Sequence, residues 1–400
     1  RDTDRSRGLG DVYKRQVGII TIVNVNNYGA ELQAFATFRK LQLMGYNAEI
    51  INYLYYKDWR YIDSKMSRSF NSMSIKGKII YFAKYRVASF VLNKILPLIC
   101  KDVKQRIANF NSFHQHNTRF SKLYKSMKDL YTDTPIYDVY MVGSDQVWNP
   151  NASSSIEPYF LTFAPHSALT VSYASSFGVS KIENNSIANR IKLGLSSIKT
   201  ISVRESSGVN LVKELTGRTA QLVCDPTLLL NKSEWTMFMK PVSNMPQRYV
   251  LIYQLSESDA IVKLATRIGK QEQIPVYRIC KRAFKVKKDK GVVNILNAGP
   301  SEFLSLITNA SFIITNSFHG TAFSINFDVP FYTVVSAKKK NNNRMESLLD
   351  YVGLGKRIVK DDVDITNLPI VGYDVNATQL KLKSFRLESE KFLEDALAYN

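Results

Sequence analysis

Val17–Val25 reads VGIITIVNV, Asn26-Asn27-Tyr28-Gly29 follows it, and Ala30–Met44 reads AELQAFATFRKLQLM before Gly45. The first stretch is short, apolar and β-branched, which predicts a buried strand. Asn and Gly supply the turn, and the apolar residues from Ala30 onward fall at helical spacing until the glycine stop. Ala48–Tyr53 then predicts a second strand. A strand, a turn, a helix and a strand in that order make a unit of the parallel, doubly wound kind.

The same rhythm extends along the chain. Tyr137–Gly143, Thr170–Ser175, Thr200–Arg204 and Gln221–Asp225 read as further strands, with a helix over Asn185–Ser197. The pattern loosens around Asn231–Gln247, where Pro241 and Pro246 fall. A second series follows, with strands at Tyr249–Gln254, Ile274–Arg278, Phe312–Thr315 and Phe331–Val335 and helices at Ser301–Asn309 and Gly320–Phe327. The expected fold is therefore α/β, with two Rossmann-like domains (17–235 and 236–377) facing a cleft and a C-terminal helix over 378–400. A basic helical insertion over 55–130 interrupts the first domain. Open parallel sheets bind ligands beyond the C-terminal ends of their strands, so the cleft is where a site belongs.

Composition narrows the classes. A chain of 400 residues exceeds one small core, and 45% hydrophobic with 22% charged residues excludes a disordered or fibrous chain. Cys100, Cys224 and Cys280 are an odd number, widely spaced, so neither a disulfide framework nor a zinc site is expected and the compartment reads as reducing. No stretch is apolar over the roughly 18 residues a membrane span needs. The chain opens on Arg1, which we read as an incomplete reading frame, and residues 1–16 as sequencing-adapter residue rather than protein. The codons for Val12-Tyr13-Lys14-Arg15-Gln16 can match a transposon-end adapter; a natural flexible N-terminus is the plainer alternative.

The net charge of +20 is uneven. From Tyr55 to Leu130 there are 16 Lys/Arg against 4 Asp, which leaves +12 in that stretch alone. With apolar runs at Ile79–Ala83 and Val87–Leu92, this predicts peripheral contact with an anionic membrane surface, through Arg86, Lys94, Lys101 and Lys104. A solvated face is the plainer alternative, and no nucleic-acid-binding motif accompanies the charge.

Several strand ends carry chemistry. Asn27, Tyr28 and Gly29 sit where a strand meets a helix N-terminus, whose free amides suit an anion. Ser144 and Asp145 lie in the Gly143–Asn149 loop (GSDQVWN) beyond another strand. Arg204 ends a third strand, and a guanidinium there can fork onto carboxylate or phosphate; an ion pair with Glu205 is the alternative. Ser317, His319 and Gly320 mark a strand-to-helix junction, where the helix dipole lowers a histidine's pKa and glycine leaves room for a ligand. Arg344, after the run Lys338–Asn343, is a further anion-binding candidate.

Taken together these stretches resemble the polysaccharide pyruvyltransferase family. The resemblance rests on Asn27-Tyr28-Gly29-Ala30 with Leu32-Gln33, GSDQVWN at 143–149, SYASSFG at 172–178, Val203-Arg204-Glu205, Asp225-Pro226-Thr227 and NASFIITNSFHGTAFSINF at 309–327. It spans Val17 to about Arg357, least well over 55–130. It implies a GT-B-like fold, phosphoenolpyruvate as donor, and Arg204 and His319 beside that donor. Some members carry an arginine where this chain has Ser317, and Arg344 is the candidate replacement.

The implied reaction transfers pyruvate to hydroxyls of a glycan or lipid-linked sugar as a ketal, without cofactor or metal, on the cytoplasmic side of the membrane. Protonated His319 serves as acid and Asp145 as base. Alternatives are a GT-B glycosyltransferase or epimerase using a nucleotide-sugar, and a non-catalytic membrane-surface scaffold in polysaccharide assembly.

Overall fold

The structure is a computed structural model that describes residues 15–63, 68–151, 156–280, 287–338, 342–364 and 368–398. Residues 1–14 of the segment read as adapter lie outside it. Gln16, read with that segment, already begins β1 (Gln16–Ile20), its register running Gln16 opposite Asn47.

β1 joins β2 (Asn47–Ile50), β3 (Val139–Val142), β4 (Leu169–Ser175), β5 (Thr200–Val203) and β6 (Gln221–Leu222) in one parallel sheet ordered β2-β1-β3-β4-β5-β6. The second sheet holds β7 (Val250–Tyr253), β8 (Val276–Ile279), β9 (Val292–Ile295), β10 (Phe312–Thr315), β11 (Phe331–Val335) and β12 (Ile358–Lys360), ordered β12-β11-β10-β7-β8-β9. All these pairings are parallel. Central strands such as β3, β7 and β10 are buried at every residue, as strands covered by helices on both faces must be. β9 and β12 were not legible as strands, because an edge strand needs little apolar patterning and theirs is mixed.

Each sheet has one point where strand order reverses, between β1 and β3 and between β7 and β10. Connections leave in opposite directions there and open a crevice beyond the strand ends. The Asn26–Gly29 turn and the Gly143–Gln146 loop follow β1 and β3; Asn316–His319 follows β10. The topology therefore carries three sequence motifs to two crevices.

One apolar core runs through both domains. Tyr28 starts the helix Tyr28–Leu43, yet its ring stacks on Phe303 of the second domain at 4.6 Å and its hydroxyl donates to the Ala298 carbonyl at 2.8 Å. The closing helix Val375–Ala398 returns to the first domain, where Ser389 Oγ accepts from Cys224 N at 2.9 Å.

The insertion has two kinds of contact. Helix Lys101–Asn117 turns Phe110 and Phe113 into the shared core, and Arg106 donates to the Cys280 carbonyl at 2.6 Å. Arg86, expected at a membrane surface, instead faces inward, paired with Asp63 at 2.6 Å, and anchors the insertion.

Candidate active site

A hub of buried charge forms where the two crevices meet. Arg204 follows β5, and its side chain is wholly enclosed (0% exposed). One terminal nitrogen donates to Asp225 Oδ2 at 2.8 Å and the other to Asp145 Oδ1 at 3.0 Å. The fork that the sequence reading assigned to a donor is thus already closed on two carboxylates of the chain. Asp225 is a second anchor: its Oδ1 accepts from the amide and hydroxyl of Thr227 at 3.0 and 2.7 Å and caps the short helix Pro226–Leu229. Ser144 is buried, with its amide donating to Gln33 at 3.0 Å and its hydroxyl 3.0 Å from Asp225 Oδ2, so it braces the hub instead of lining the cleft.

The GSDQ loop is held in an unusual shape. Asp145 has φ +65, a left-handed conformation that costs a residue with a side chain on the order of 1 kcal/mol or more. Its carbonyl accepts from Val147 N at 2.9 Å and Ser176 N at 3.0 Å, and its carboxylate is tied to Arg204. Gly143, at φ +122, could carry no side chain, since a Cβ would stand 2.0 Å from the Tyr173 carbonyl oxygen.

His319 arrives from the other domain. Ser317 caps the helix Phe318–Asn326 by accepting from Gly320 N at 3.3 Å, which puts His319 in the first turn. Its Nε2 lies 3.8 Å from Asp225 Oδ2 and, among the described residues, has no hydrogen-bond partner. Its ring packs on Gly29, where a Cβ would stand 2.0 Å from Nδ1. Gly29 therefore makes room for the histidine. Gly320 likewise makes room for Thr315 and Tyr253.

Arg344 completes the cluster. Its guanidinium lies 5.9 Å from the Phe318 ring centre and that of Arg204 4.7 Å from it, so the two cations share one aromatic ring. With its amide oxygen turned toward Arg344, Gln146 accepts from both terminal nitrogens at 3.0 and 2.9 Å. Among the described residues, Arg204 Nε and Arg344 Nε, like His319 Nε2, are buried without hydrogen-bond partners.

The electrostatics follow from this crowding. Burial pushes the His319 imidazole below its ordinary value; Asp225 opposes the shift, and Arg204 and Arg344 reinforce it. Burial, with Arg204 beside it, lowers the Arg344 guanidinium to about 10. Burial works against ionisation of Asp145, yet Arg204, His319 when charged, and Arg344 hold it below the usual carboxylate range. The same opposition, with His319 and Arg204 as cations, lowers Asp225. Glu205 goes the other way, because there burial outweighs Arg204 and Arg344.

Gly29, Ser144, Asp145, Arg204, His319 and Arg344 thus come together from among the sequence candidates. Asn27 caps the first helix, accepting from Gly29 N at 3.0 Å and Ala30 N at 3.3 Å. Tyr28, Ser317 and Gly320 serve packing and capping. Asp225, Gln146 and Phe318 had no role assigned from sequence, and Glu205, the alternative partner of Arg204, stands 3.9 Å from its Nε; an Asp-Pro pair closing a strand on the same sheet edge was the available signal for Asp225. A cavity of about 540 Å³ opens beside the first helix, bounded by Asn24, Asn26, Glu31, Trp59, Asn93 and Arg106. Another, of about 480 Å³, reaches Arg344 from the second domain.

Two doubly wound domains with a polar, charged junction between their sheet edges define a GT-B-like α/β protein. Among solved structures the fold is similar to UDP-N-acetylglucosamine 2-epimerase from Rickettsia bellii, at 10% identity, TM-score 0.50 and 97% of each chain. A Methanocaldococcus jannaschii UDP-GlcNAc 2-epimerase in complex with UDP-GlcNAc and UDP matches at 14% identity and TM-score 0.46, over 93% of this chain and 99% of that one. Arabidopsis thaliana UGT89C1 complexed with quercetin matches at 10% identity and TM-score 0.45, over 96% and 94%. No curated protein matches the chain in sequence. The polysaccharide pyruvyl transferase family matches residues 27–337, and the chain belongs to that family.

Proposed function

We propose that this protein transfers the pyruvyl group of phosphoenolpyruvate to hydroxyls of a sugar, in a cell-surface polysaccharide or its lipid-linked precursor, on the cytoplasmic side of the membrane. The observation that carries the reading is the set of buried nitrogens of Arg204, Arg344 and His319 around one junction that make no hydrogen bond among the described residues, with only the longer ion-pair contacts of Glu205 and Asp225 beside two of them. An unsatisfied buried polar group costs about 1–3 kcal/mol, so a ligand rich in anionic oxygens gains from meeting several.

In this reading Arg344 is the main donor clamp, because among the described residues its Nε makes no hydrogen bond and the neutral Gln146 alone accepts from its other nitrogens. Arg204 contributes field and positions Asp145 and Asp225. His319 is neutral in the empty site; the negative charge of the bound donor raises its proton affinity and loads it as an acid. The proton moves to the donor's methylene carbon and leaves a cationic C2. A sugar hydroxyl attacks C2 and gives its proton to Asp145, a weak base that suffices because the attacking oxygen becomes strongly acidic. A second hydroxyl then bonds to C2, the C2–O bond to phosphate breaks, and that hydroxyl's proton leaves with phosphate. The product is a pyruvate ketal.

Calorimetric titration tests the donor. Phosphoenolpyruvate is expected to bind the wild type and to lose at least tenfold in affinity in Arg344→Ala, while UDP-N-acetylglucosamine does not bind. Binding of the nucleotide-sugar with none of phosphoenolpyruvate would replace this reading with the epimerase or glycosyltransferase one.

A further inference from the structure

Ile75–Ile99 forms one unbroken helical rod. α-Helical turns at Ile75–Phe82, Ala88–Phe90 and Leu96–Ile99 alternate with wider π turns at Ala83–Val87 and Val91–Ile95. One side faces the protein. Tyr81 is buried against Phe70 and Tyr85, Arg86 is paired with Asp63, and Ser89, Leu92 and Asn93 line the 540 Å³ cavity. The other side carries Ile75, Ile79, Phe82, Val87, Val91 and Ile95, and it ends on Leu98-Ile99, all exposed. Steps of three to five residues keep these side chains in one line, because the π turns stretch the repeat where the step is longest.

Such a stripe is expensive to leave in water. Ile75 is 81% exposed, and Leu98 and Ile99 are each 80% exposed. Monomeric proteins seldom present a contiguous apolar stripe of this length without something that covers it. The charge beside it says what. Between Asp63 and Asp102 the chain holds Lys65, Arg68, Lys76, Lys78, Lys84, Arg86, Lys94 and Lys101 and no Asp or Glu. Lys76 and Lys84 are exposed on the rod and Lys101 just past its end, while Lys94 turns to the cavity, over the Trp59 ring. The covering surface must accept hydrocarbon and carry negative charge in a plane, which describes an anionic lipid leaflet.

We infer that the outer face of the Ile75–Ile99 rod lies in the interface of an anionic bilayer, apolar stripe down and lysines at the headgroups. A helix of this kind sinks its apolar side about 5–10 Å into the headgroup boundary. Among the described residues no helix is long and apolar enough to cross a membrane, so the rod lies along the surface. Its inner face walls the 540 Å³ cavity beside the first helix, one helix diameter, about 10–12 Å, from the lipid. This placement holds whatever the donor proves to be.

Vesicle flotation tests it with the full chain. The wild type is expected to float at low salt with equimolar phosphatidylcholine and phosphatidylglycerol vesicles, and to stay unbound with phosphatidylcholine alone. Two triple variants separate the contributions: Ile79→Ser/Leu98→Ser/Ile99→Ser and Lys76→Gln/Lys84→Gln/Lys101→Gln. Each should lower partitioning by about 10²-fold, with an unchanged circular dichroism melt because every substituted side chain is exposed. A wild type that fails to float with anionic vesicles overturns the inference. So does a serine variant that floats like the wild type. If the wild type instead self-associates on sizing and the serine variant disperses it without any vesicle binding, the stripe is an interface between copies of this chain and the lipid assignment is wrong.

Discussion

Gly29→Ala places one methyl group in the first domain against the His319 ring of the second, the proposed acid. The added Cβ would stand 2.0 Å from Nδ1, 2.5 Å from Cγ and 2.7 Å from Cε1 of His319. Ordinary contact between such atoms is about 3.5 Å, so the ring must retreat by roughly 1.5 Å. Overpacking of this size costs about 1–3 kcal/mol, and the gain of alanine over glycine in a helix offsets up to about 1 kcal/mol. In the wild-type background the net change in stability is therefore small, between about 0 and 2 kcal/mol. In a His319→Ala background the three nearest clashing atoms are gone and the helical gain weighs more. A denaturation cycle over the four proteins should yield a coupling of about 1–3 kcal/mol between positions 29 and 319. Turnover of Gly29→Ala should fall by about 10²-fold, as expected when a reacting group moves by an ångström or more. Equal stability changes in the two backgrounds, or wild-type turnover in the single variant, would refute the claim that this glycine exists to seat His319.

Two further predictions concern charge. Because the fold lowers the His319 pKa below its unfolded value of about 6.5, the stability tied to it is fully present above that pH and is lost as pH falls through the folded pKa. If His319 is the acid, kcat/KM for phosphoenolpyruvate falls as pH rises through that depressed pKa, and His319→Gln abolishes the limb; a rate that climbs instead assigns it as base. Asp225→Asn removes one of the two carboxylates that hold Arg204 and should cost about 3 kcal/mol in urea denaturation, the low end for breaking a buried pair, because Asp145 remains. A loss under about 1 kcal/mol would show that Asp145 alone satisfies the guanidinium.

Much of the architecture was legible because it depends on local pattern. Val17–Val25 is apolar enough to be central, and β1 takes its first four residues with Gln16 ahead of them; Phe312–Thr315 and Phe331–Val335 match β10 and β11 residue for residue. Periodicity and turn chemistry also placed Asn27, Asp145, Arg204 and His319 at strand ends, and parallel topology takes strand ends to the cleft. The roles were less legible. Arg204 reads in sequence as a free fork, but only packing shows that Asp145 and Asp225 already occupy it. Tyr28 reads as a turn residue, but its ring is spent on Phe303 and Ala298 of the other domain. Arg86 and the exposed stripe of the rod occupy one helical segment, and nothing local says which side turns inward.

The sequence by itself determined which segments are strands and helices, where their polar ends lie, and hence the two-domain α/β class. Those features follow from side-chain period and backbone preference over a few neighbours. Only the tertiary structure decided which ends meet. Gly29 and His319 are 290 positions apart by subtraction of their numbers, and Asp225 reaches Arg204 from a separate turn. Their contact depends on how two sheets dock and on which charges burial forces to pair, and no local pattern encodes that.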